Sequence, residues 1–115
     1  MRFEAEVVVD ELLPAMRSIV ASKLQQEYGL KQEQIADKLG VTQPAVSQYL
    51  SGTRADQELV EKLKQDAQIE ILLNDATSKA AVNDDFSHEF AKTVATVRDK
   101  GMMKERFSDT FKLIR

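Results

Sequence analysis

The stretch Gln32-Glu-Gln-Ile-Ala-Asp-Lys-Leu-Gly-Val-Thr-Gln-Pro-Ala-Val-Ser-Gln-Tyr-Leu-Ser51 leaves the chain little conformational choice. It reads as two short helices joined by a three-residue turn and crossing at a steep angle. Ala36 suits the point of closest approach, where a larger side chain would push the helices apart. Gly40 suits a turn residue with positive φ, a conformation that costs other residues a Cβ clash. Ile35, Leu39, Val41, Val46 and Leu50 supply the apolar seam that holds the angle. Thr42 is placed to cap the second helix, its hydroxyl accepting from the N–H of Ala45, with Gln43 and Pro44 in the first turn.

The rest of the chain reads as helical too. All four glycines and both prolines fall at plausible helix ends, Pro14 and Pro44 at first-turn positions. Helical spacing predicts a first helix over about Asp10 to Tyr28, a second over about Lys31 to Leu39, and a third that begins after Thr42 and ends near Ser51. A long segment from Asp56 to about Ala81 follows, with Leu59, Leu63, Ala67 and Ile71 as its stripe. Two more segments run from Asp85 to Lys100 and from Met102 to Arg115. Val7-Val8-Val9 is the one β-branched cluster, either a short extended arm or the lead-in to the first helix. The expected fold is all-α. It has a helix-turn-helix bundle over residues 1–54 and helices for dimerisation over residues 55–115.

On the second helix of the pair, this register puts Gln43, Pro44, Ser47 and Gln48 on the outer face. These side chains are short to medium and uncharged. A glutamine amide can bond bidentately to adenine N6 and N7, and a serine or proline ring can lie against a thymine methyl. Gln32, Lys38, Arg54 and Arg17 are the expected phosphate partners. A net charge of −3 argues against a nucleic-acid partner at first, but residues 14–54 carry five bases against three acids. Phosphate contact follows local charge, so the balance permits DNA without predicting it.

The spacing of Ala36, Gly40 and Val46 resembles that of the Cro/repressor-type (XRE-like) helix-turn-helix family, which includes the lambdoid phage repressors. Wider similarity runs from Leu13-Pro14-Ala15-Met16-Arg17 through Tyr28-Gly29-Leu30 to Val46 and Arg54, and looks like small archaeal regulators of this class. The resemblance implies double-stranded DNA as partner, and it places Gln32, Gln43 and Gln48 where such repressors contact phosphate or bases. With no cysteine in the chain, no metal-sensing role carries over.

Other classes find little support. No cofactor, metal or small-molecule effector site is expected, and no apolar run reaches the roughly 18 residues of a membrane span. Acids near the N-terminus and the lack of cysteine point to a cytoplasmic protein. Ser108 and Thr110 have no base nearby in sequence, and His88 is expected to be a solvated helix-start residue, so no enzyme is expected. The apolar stripe of Leu59, Leu63, Ala67 and Ile71, then Phe86, Phe90, Phe107 and Phe111, has two readings, an internal core or the face of a homodimer, the latter with Phe90, Val94 and Val97 on one face and Met103, Phe107 and Phe111 on another. Dimerisation is the expectation, because a single reading helix makes few base contacts. The competing function is an antitoxin-type interaction module whose C-terminal helices cover another protein.

Overall fold

The structure, a computed structural model, describes residues 3–103, and these are helical with no strand among them. The helices are α1 (Glu4–Val7), α2 (Leu13–Tyr28), α3 (Gln32–Leu39), α4 (Gln43–Ser51), α5 (Gln57–Lys64), α6 (Ala67–Ala81) and α7 (Ser87–Asp99), with a π-helical turn, Val8–Leu12, joining α1 to α2. The expected final segment lies mostly outside the described residues, and with it Phe107, Phe111 and Ile114.

Pro14 explains the π turn. A proline has no N–H, and inside a helix its ring presses on the carbonyl four residues back, here that of Asp10. The wider turn opens the backbone immediately upstream, with the Leu13 N–H reaching back to the Val8 carbonyl. α1 to α2 follow one another as a helical run, and Pro14 falls in the first turn of α2, as the sequence suggested, directly after the π turn. The valine cluster is the helical lead-in. The turn also sets the phase, since Val7 and Leu12, five apart, are both fully buried, followed by Ala15, Met16, Ile19 and Val20 at regular helical spacing.

α2 is the hub. It packs against α3, α4, α5 and α6, and Ser18, Ala21 and Leu24 are buried along with the residues above. A helix covered on so many sides must be small and apolar over most of its circumference, and this one is. One continuous core joins Ile35, Ala36, Ala45, Val46 and Tyr49 of the helix pair to Leu59, Val60 and Leu63 of α5 and to Ile69, Leu73 and Ala80 of α6.

The segment expected as one helix from Asp56 to Ala81 is two. Asp56 caps α5, its carboxylate accepting from the N–H groups of Glu58 and Leu59. Asp66 caps α6 by accepting from Ile69 at 3.0 Å. The break changes which residues face inward. Ala67 and Ile71, expected on the stripe, are exposed, Ile71 at 62%, while Ile69, Leu73, Ala76 and Ala80 are buried. Lys100 bonds the same Asp66 carboxylate at 2.7 Å, and this contact, with the Ile69 N–H behind it, holds Asp66 below the usual carboxylate range. Lys79 of α6 meets Glu89 of α7 at 2.7 Å; that hydrogen bond lowers the Glu89 pKa and raises that of Lys79. α7 begins two residues later than expected, after the Asp85 carboxylate accepts from the Ser87 N–H at 2.9 Å.

Candidate nucleic-acid interface

α3 and α4 pack together and are joined, as the sequence suggested, by a turn of three residues, Gly40 to Thr42. Gly40 ends α3 with φ +67°, and the Val41 N–H closes the turn on the Ala36 carbonyl at 3.1 Å. The Thr42 hydroxyl accepts from the Ala45 N–H at 3.2 Å and caps α4. Ala45, Val46 and Tyr49 form its buried side, and the Ser18 hydroxyl of α2 donates to the Tyr49 carbonyl at 3.0 Å. The helix is thus anchored on its inner side from its first turn to its last, which leaves its outer face free.

That outer face carries Gln43, Pro44, Ser47 and Gln48, all exposed. No acid lies in the first turn of α4, so the partial positive charge of the helix N-terminus stays available to an anion. Two glutamines from different helices meet there: the Gln43 amide donates to the Gln32 side-chain carbonyl at 2.6 Å. Gln32 stands at the start of α3, where the Lys31 N–H is closed by the Gln34 side chain at 2.9 Å. The pair ties the first turns of α3 and α4 together at the surface.

At the other end of α4 the chain doubles back. Gly52 adopts φ +83°, and a Cβ there would meet the Gln57 amide at 3.2 Å, so glycine suits both the backbone and the space. The Thr53 N–H then returns to the Gln48 carbonyl at 3.0 Å. This reversal brings Arg54 over α4, where its guanidinium donates to the Gln48 side-chain oxygen at 2.7 Å and lies 5.6 Å from the centre of the Tyr49 ring.

Of the eight side chains singled out in the sequence, Gln32 and Gln43 are joined, as are Gln48 and Arg54. Pro44 and Ser47 lie exposed on the same helix. Lys38 is half-buried at the end of α3 and donates to Asn83, in the turn between α6 and α7, at 3.0 Å. Arg17 is half-buried on α2 beside Ser18. Sequence reasoning missed Tyr49 as a platform for Arg54; an aromatic residue five before an arginine, across a glycine turn, was the available signal. His88 is exposed near the start of α7, and no cluster of His, Asp or Glu suited to a metal ion occurs among the described residues. No helix among them is long and apolar enough to cross a membrane.

Residues 21–65 match the protein-family model described as Helix-turn-helix, a span from the middle of α2 to just past the end of α5. No curated protein and no solved structure matches the chain.

Proposed function

We propose that residues 21–65, which match the helix-turn-helix family model, bind DNA in the manner of the Cro/repressor type and make the chain a sequence-specific transcriptional regulator. It lays α4 in the major groove and acts by occupying its operator as a homodimer. The observation that carries this reading is the outer row of α4, uncharged, exposed and polar at Gln43, Ser47 and Gln48, tied to α3 through Gln32 and Gln43. Side chains of this length reach base edges once a helix lies in the groove. Gln43→Ala is expected to weaken binding to the preferred site by about 1–3 kcal/mol while leaving random duplex nearly unaffected. A titration showing equal losses on both DNAs would take base reading away from Gln43.

Pairing supplies the second half-site, and the described surface favours one place for it. On α7, Val97 is buried within its own protomer, while Phe86 and Phe90 stack edge to face at 5.1 Å and are half-buried. These positions serve the internal core. Of the large apolar side chains exposed among the described residues, Phe3 and Val9, each 58% exposed, share one patch with Val8 and with Val94 of α7, while Tyr28, Ile71 and Val82 lie outside that patch. Arg98 of α7 pairs with Glu4 at the edge of this patch. Phe3→Glu with Val9→Glu is expected to shift the protein from dimer to monomer in light scattering, with melting temperature little changed. A variant that stays dimeric would move the contact elsewhere.

A further inference from the structure

Arg54 looks from the sequence like a phosphate partner, but its contacts give it another task. We propose that Arg54 is a specificity-determining residue, one that turns the Gln48 carbonyl toward itself so that the two side chains present their hydrogen-bond donors to the groove and select guanine. This assignment rests on α4 being the major-groove helix.

The orientation of the Gln48 amide follows from elementary chemistry. A guanidinium carries N–H donors and no acceptor. Whatever atom of Gln48 faces Arg54 must therefore be its carbonyl oxygen, and Oε1 lies 2.7 Å from the guanidinium nitrogen. The amide nitrogen and its two hydrogens are left for the groove. Arg54 is itself held in place. The Gly52 turn returns the backbone to α4, the Thr53 N–H anchors it on the Gln48 carbonyl, and the Tyr49 ring lies under the guanidinium. Tyr49 is 3% exposed, and its carbonyl is bound by Ser18, so the platform cannot shift readily.

A glutamine whose amide is unrestrained offers an acceptor beside its donors, the pattern that matches adenine N7 and N6. Clamped by Arg54, Gln48 has its carbonyl oxygen turned to the guanidinium and one of that oxygen's two lone pairs taken. Its remaining N–H groups, with the guanidinium donors beside them, suit an edge bearing two adjacent acceptors. In the major groove that edge is guanine, through N7 and O6. Adenine would set its N6 amine against a donor, cytosine offers a donor there, and thymine offers one acceptor beside a methyl group.

Selection from a pool of randomised duplexes, run with the full chain and its variants, tests this. The unaltered protein is expected to enrich guanine at one base pair of each half-site. Arg54→Ala should lower the guanine preference there roughly ten-fold and raise adenine, with other positions unchanged. The adenine gain should vanish in Arg54→Ala with Gln48→Ala, because it depends on a freed Gln48. Arg54→Ala that weakens every enriched sequence equally would mark a plain phosphate contact and overturn the assignment while leaving the major-groove reading intact. Failure of the unaltered protein to enrich any sequence would remove that reading itself, and the assignment with it.

Discussion

Cut after Arg54, the chain is expected not to fold. The helix-turn-helix looks separable in sequence, but its floor is α2, which α5 and α6 also cover. The cut removes Leu59, Leu63, Ile69 and Leu73, all at most 2% exposed. At about 1.5–3 kcal/mol for each buried side chain, the loss is roughly 6–12 kcal/mol. Domains of this size have about 5–15 kcal/mol in total. Circular dichroism of residues 1–54 should show no cooperative melt. A sharp transition near that of the full chain would mean the core divides at Arg54. The family match, which continues to residue 65, already includes α5.

Enlarging Ala36 is expected to abolish specific binding before it abolishes the fold. Ala36 is 7% exposed and shares the core with Ala45 and Val46 of the facing helix. Three additional carbons in Ala36→Leu have no space, and overpacking of this kind costs about 1–3 kcal/mol. α3 and α4 would move apart to relieve it. Gln32 and Gln43, 2.6 Å apart, would then lose their bond, and the face of α4 would tilt away from α3. The variant should melt several degrees lower yet cooperatively, and its preference for operator over random duplex should fall at least ten-fold. Wild-type affinity in a destabilised variant would show that the crossing angle does not govern recognition.

The helix pair was legible in the sequence because its determinants are local. Ala36, Gly40, Thr42 and Val46 act within a few residues of one another, and each does what its type and spacing suggested. The long C-terminal segment was misjudged for the opposite reason. Its apolar positions fit one uninterrupted period, and an aspartate inside such a run reads as a solvated face. Asp66 became a cap because α5 and α6 must both reach α2, which no straight helix can do. Contacts distant in sequence were out of reach altogether. Nothing at Lys38 announces Asn83, 45 residues on. The Gln48–Arg54 bond spans only six residues but depends on the direction of the turn at Gly52. That direction was visible as a glycine, without the partner it would deliver.

The π turn ahead of Pro14 has a consequence for how this chain could vary. One residue more than a regular helix needs is accommodated there, so the register of α1 against the core is a matter of a single insertion. Losing one of Val8, Val9 or Asp10 together with Pro14→Ala would restore an ordinary helix with Val7 and Leu12 at four-residue spacing, still both facing inward. Within α2 itself a deletion of one residue rotates every side chain beyond it by about 100° and exposes the hub. Lineages descended from a common ancestor of this chain should therefore tolerate length changes at this point, and those lacking the proline should align with a one-residue gap within residues 8–12.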